Sequence, residues 1–182
     1  MEEIKILFFA LTSFFGIEDA RFAADKVTIT IHPEKQEIEI IQENLFAVIQ
    51  SEKDSIMVVE QWNKIRNRNE SQTIWANELD SFHSKSFKLI DVENTIQPHI
   101  LLKYSSNEDL SVMGIWYNAE NNQYAINNIP QQNIKTNSGK LNGNYWYFDA
   151  ASTFSFTEEP FSDMPENYRK LKIPLKELLK KK

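Results

Sequence analysis

Cysteine is absent from this chain. That excludes disulfides, thiolate metal sites and a cysteine nucleophile. It leaves the compartment open, because 182 residues can bury an adequate core without covalent staples. Glycine is scarce, with four in all, and neither GxxxxGK nor GxGxxG occurs, so a phosphate-cradling loop is not expected. Six prolines are scattered along the chain. No stretch has linker composition and no internal repeat is visible. The three histidines, His32, His83 and His99, lack the i, i+4 spacing of a helical metal site, and there is no HExxH. GxSxG and a supported SxxK set are also missing, and nothing in the acid spacing selects a carboxylate pair for glycoside chemistry. The expectation is no catalytic residue, no metal and no cofactor.

Basic residues are the minority, 20 against 26 acids, for a net charge of −6. The balance argues against a general nucleic-acid binder, which needs an electropositive face. The basic residues crowd the end as Arg169, Lys170, Lys172, Lys176 and Lys180 to Lys182. Such a run reads as a solvated helix face with a frayed tail.

No apolar run reaches the twenty residues of a membrane span. The run that is present, Ile6 to Phe15 (I-L-F-F-A-L-T-S-F-F), has the length of a signal-peptide core. It is read as a signal peptide over residues 1–24, which implies an extracytoplasmic (periplasmic or secreted) protein whose mature domain is 25–182. Its flanks fit less well: Glu2 and Glu3 precede it, and cleavage after Ala23 or Ala24 puts Arg21 or Phe22 at the −3 position. The alternative is a buried N-terminal helix, with Ile4, Leu7, Phe8, Leu11 and Phe15 at helical spacing.

Beyond Asp25, alternation predicts a hairpin of strands over 27–32 and 37–42, with Leu45 to Ile49 extending the sheet or leading into a helix. Ser51 and Asp54 suit a capping box for a helix over 52–67 that buries Ile56, Val59, Trp62 and Ile65. A second helix is expected over 72–83, with Ser71 as cap and Trp75, Leu79 and Phe82 on one side. Strands follow at 87–92, 100–104, 110–117 and 123–127, the last two as a hairpin. Another hairpin is expected from 145–148 and 153–157. Asp163 is read as the cap of a C-terminal helix with Pro165 in its first turn, and Pro174 as the start of a last turn or two. The class is α+β: an antiparallel sheet of six to eight strands, two helices inserted after the first hairpin, and a short C-terminal helix. Asn69-Glu70-Ser71 is a glycosylation-type triplet with a high chance rate.

Aromatic residues concentrate in the second half. Trp146, Phe148, Phe154 and Phe156 are read as the core face of the last hairpin. Tyr145 and Tyr147 then stand on the opposite face, where aromatics with polar tips stack on sugars or anchor a partner, unless a helix covers them. With Trp116 they form the candidate ligand-binding set. Gly114-Ile115-Trp116 resembles the G-x-W signature of lipocalins. That family places the signature at the start of an eight-stranded barrel; here it follows two predicted helices with too few strands after it, and the family is not assigned.

The leading expectation is a non-catalytic extracytoplasmic domain that binds a protein, small molecule or carbohydrate on an aromatic sheet face. One alternative is an acidic cytoplasmic interaction or inhibitor protein of the immunity type. The other is an enzyme with a pocket between helices and a curved sheet, as in cone-shaped α+β folds.

Overall fold

The computed structural model describes residues 4–67 and 74–180. Alternating residues become β1 (Ala23–His32) and β2 (Glu37–Val48), so the apolar run after Leu45 extends the second strand. α1 (Glu52–Arg66) opens on the expected box: Asp54 N–H donates to Ser51 Oγ and Ser51 N–H to Asp54 Oδ2. Its buried side is Val58, Val59, Trp62 and Ile65, while Ile56 is exposed. The second helix is not formed as expected. Residues 71–73, with the Ser71 cap and the Asn69-Glu70-Ser71 triplet, lie outside the described residues, and 74–83 contain only a 3-10 turn at Asn77–Leu79.

β3 (Ser84–Val92) and β4 (Thr95–Lys103) form a hairpin longer than its apolar run suggested. Pro98 is tolerated inside β4 because the ladder to β2 stops at His99, leaving that flank of the strand open. Residues 107–113 make a 3-10 turn instead of strand, capped by Ser106 and Asp109. Gly114 ends it in the left-handed region at φ 76°. The hairpin of β5 (Ile115–Asn118) and β6 (Gln123–Asn127) forms as expected, followed by β7 (Lys140–Asn142), β8 (Tyr145–Asp149), β9 (Phe154–Glu158), a four-residue α2 (Glu166–Arg169), β10 (Lys172–Pro174) and α3 (Leu175–Lys180). Asp163 caps nothing; Pro165 holds that position of α2.

The fold is α+β, with the strands divided between two antiparallel sheets. The larger runs β3-β4-β2-β1-β9, with β10 beside the far end of β2; the smaller runs β5-β6-β8-β7. The last expected hairpin is therefore corrected. β8 and β9 are joined by a turn but enter different sheets, because β9 pairs with β1. The chain turns a corner there, and Phe148 stacks on Phe154 with ring centroids 4.5 Å apart. The core faces of the two strands meet across the sheets, so the expected aromatic set is buried or packed on the core as read.

Register defines rows across the larger sheet's inner face. Phe154, Ile31, Ile38, Leu102 and Lys85 form one; Phe156, Ile29, Ile40, Ile100 and Phe87 the next. The third is Glu158, Val27 and Gln42.

Residues 4–22 cover that third row. They are not helical, apart from a 3-10 turn at Leu11–Phe15. An extended strap lets Ile6 and Phe8 point inward while Lys5 and Leu7 stay out, which a helix apolar all round could not do. Ile6, Phe8, Leu11, Phe14, Phe15 and Phe22 belong to the core cluster. Phe8 O accepts from Gln42 Nε2 at 2.6 Å, Ala76 N–H reaches Phe14 O at 2.8 Å, and Gln61 of α1 bridges Asp19 and Arg21.

Candidate functional site

The smaller sheet gathers the three candidate residues on one face. Trp116 stands opposite Ala125, Ala125 opposite Tyr147, and Tyr147 opposite Lys140. Tyr145 pairs with Asn127 and Asn142 in the next row, and Gln123 with Asn118 and Asp149 in the row on the other side. Residues two apart on a strand share a face, so all of these side chains emerge together. Ile115, Tyr124, Ile126 and Phe148 point the other way and are buried. Tyr145 is 41% exposed, and its ring centroid lies 6.2 Å from that of Tyr147. Trp116, Ala125 and Tyr147 are half-buried. Among the described residues, the small sheet's main contacts are within itself and with the 107–113 turn.

The arrangement is a row in which two aromatic residues flank an alanine. Trp116 and Tyr147 are separated by one strand, about 9–10 Å between backbones, and Ala125 between them contributes only a methyl group. Asn118, Gln123, Asn127, Asn142 and Asp149 surround the rings with hydrogen-bonding groups. Gly114 gives the lipocalin-like triplet its local meaning: it ends a turn and starts β5, which places Trp116 outward.

A second site was not legible in the sequence. Glu158 is 4% exposed on the inner face of the larger sheet, and burial alone pushes its carboxyl up to about 7. It lines a cavity of about 220 Å³ beneath the N-terminal strap, together with Ile6, Phe8, Met113, Ile126 and Phe156. The segment between β6 and β7 pairs with the outer edge of β9: Lys135 and Thr157 exchange backbone hydrogen bonds, and Glu159 N–H reaches Gln132 O. Cross-strand register, which puts Glu158 opposite Val27, was the missing information. Alternation with Phe154 and Phe156 was the only available signal that Glu158 faces inward.

The remaining polar groups read as structural. Tyr104 and Tyr124 are buried with hydroxyls 3.4 Å apart, and Tyr124 donates to Asn107 Oδ1. Burial raises both phenols above their ordinary range. The histidines are dispersed: His32 meets Thr153, His83 meets Ser105 and His99 meets Gln97. No group of three or more metal-ligating side chains occurs among the described residues. Three residues of the basic end are engaged. Lys172 binds Asp25 at 2.6 Å, Lys176 pairs with Asp91, and Arg169 donates to the Ser162 and Met164 carbonyls. No described helix is long and apolar enough to cross a membrane. No family model, curated protein or solved structure matches this chain.

Proposed function

We propose that this protein is a non-catalytic binding domain that takes a saccharide on the outer face of its smaller sheet. One observation carries the reading: Trp116 and Tyr147 flank Ala125 in a single row, with Tyr145 beside them and amides around them. Aromatic faces stack on the C–H faces of sugar rings, and amide and carboxylate side chains exchange hydrogen bonds with sugar hydroxyls. Soluble gluco-, xylo- and chito-oligosaccharides, titrated by calorimetry, test it. The expected result is saturable binding to one of these classes that falls by about fivefold or more in Trp116→Ala and in Tyr147→Ala. Absence of binding to all three classes, or affinity unchanged in both variants, defeats the reading. The alternative, an acidic partner of a basic protein, rests on the net charge of −6. It expects a complex that weakens with added salt.

The compartment is a separate proposal. Export is motivated by the composition of residues 6–15, and retention of that run by its burial against the sheet. We favour retention, because cleavage after Ala24 would remove Ile6, Phe8, Leu11, Phe14, Phe15 and Phe22 from the core. The intact mass of natively produced protein decides between them. A chain beginning at Met1 supports retention, and one beginning near Asp25 supports export.

A further inference from the structure

The inner face of the larger sheet carries hydrocarbon in two rows, apart from Lys85 at the β3 edge, whose ammonium is bonded to the Leu79 and Phe82 carbonyls, and polar groups in the third, where Glu158 and Gln42 flank Val27. No described residue hydrogen-bonds or ion-pairs with the Glu158 carboxyl, and only desolvation acts on it. An uncompensated buried carboxyl is costly and calls for a reason. The cavity it lines supplies one. Its volume is about 220 Å³, its walls include Ile6, Met113, Ile126 and Phe156, and it opens beside Leu7 and Ile129, each 37% exposed. Among the described residues, the only other polar residues on its lining are Asn127, whose side chain belongs to the outer face of the smaller sheet, and Gln132; no lysine, arginine or histidine is among them.

We propose that this cavity binds a small apolar molecule bearing one primary amine, with the ammonium held by Glu158 and the hydrocarbon body by the apolar wall. The chemistry selects that class. An ammonium has three donors and no acceptor. Glu158 offers carboxylate oxygens, and the described lining brings no competing cation. A carboxylate or phosphate would meet an acid with nothing to neutralise either. Size sets the body: a dry cavity of about 150 Å³ holds benzene, so a short aliphatic or single-ring amine fits here. With its pKa near 7, Glu158 gives up its proton readily when a cation arrives.

The test is titration of n-hexylamine, 1-hexanol and hexanoate at pH 8 into the full chain, labelled at its methionine methyl groups. Met113 is buried on the cavity wall and reports occupancy directly. Hexylamine is expected to shift the Met113 methyl saturably and to bind about tenfold or more tightly than hexanol; hexanoate is expected not to bind. Glu158→Gln should lower the amine's affinity to that of the alcohol. Ile129→Trp, placed at the exposed rim, should block both probes without changing the melting temperature. A Met113 signal unmoved by hexylamine, equal affinities for the three probes, or full amine affinity in Glu158→Gln overturns the proposal.

Discussion

Gln42 and Glu158 stand on opposite sides of Val27 across the larger sheet, each in register with it and each buried. Gln42 Nε2 is satisfied by Phe8 O at 2.6 Å, while Gln42 Oε1 has no partner. The sheet thus presents polar groups to the N-terminal strap where its other rows, Lys85 at the edge apart, present hydrocarbon. Thr12 Oγ1 and Arg21 Nε of the strap, and Trp62 Nε1 beside Phe22, are likewise buried without partners. The unpaired buried side-chain atoms of the described residues lie along this seam.

Stability is expected to fall as pH rises through neutrality. Burial moves Glu158 from 4.5 to about 7, so the folded state binds its proton more tightly than the unfolded state. The contribution is complete below 4.5 and is lost as pH climbs through about 7, a total of about 3 kcal/mol. The surrounding bases are engaged elsewhere, Lys5 with Glu78, Lys26 with Glu43 and Lys135 with Glu159. Urea melts at pH 5 and pH 8 should show the fall in the wild type and not in Glu158→Gln.

The strap is expected to be essential and yet the first part of the core to open. Leu11→Ala removes a fully buried side chain and should cost about 2–5 kcal/mol. A chain lacking residues 1–22 should give no cooperative thermal transition. In native hydrogen exchange, the Ala76 amide bonded to Phe14 O should exchange faster than the paired amides of Ile29 and Ile40, because unpaired polar atoms weaken the seam. A stable truncated chain would show that the strap is dispensable.

Lys172 ties the end of the chain to β1. Its ammonium is 2.6 Å from Asp25 Oδ1 and 4.3 Å above the Phe46 ring. The pair is partly exposed, so a double-mutant cycle with Asp25→Asn and Lys172→Met should give a coupling of about 1 kcal/mol. The coupling should shrink in molar salt.

The gap between the two aromatic residues of the row can be filled without replacing either of them. Ala125→Phe places a ring between Trp116 and Tyr147. It is expected to abolish saccharide binding while changing the unfolding free energy by less than about 1 kcal/mol, since Ala125 stands on the outer face of the sheet, away from the buried row of Tyr124 and Ile126. Calorimetry and thermal melting read the two effects separately.

Much of the fold was legible because it is local. Val27, Ile29 and Ile31 alternating with threonines specify half-buried strand, and Ser51 with Asp54 specifies a helix start. The split of β8 and β9 was not legible. Tyr145 to Phe148 and Phe154 to Phe156 alternate as hairpin partners do, and alternation does not say which strand each will pair with. The outer set Trp116, Tyr145 and Tyr147 was legible for the same reason: facing is a property of one strand. Glu158 faces inward by the same alternation, but its isolation depends on Val27 and Gln42, distant in sequence.

The chain's own pattern therefore determined the α+β class, the strands that alternate, the helix of 52–66 and the outward face of the small sheet, since each follows from side-chain order within a few residues. Only the tertiary structure decided that there are two sheets, that residues 4–22 lie over the larger one, and that Glu158 is left with hydrocarbon and a cavity. Those outcomes depend on which distant strands share hydrogen bonds, and backbone hydrogen bonding between strands is nearly indifferent to the side chains that sequence reading relies on.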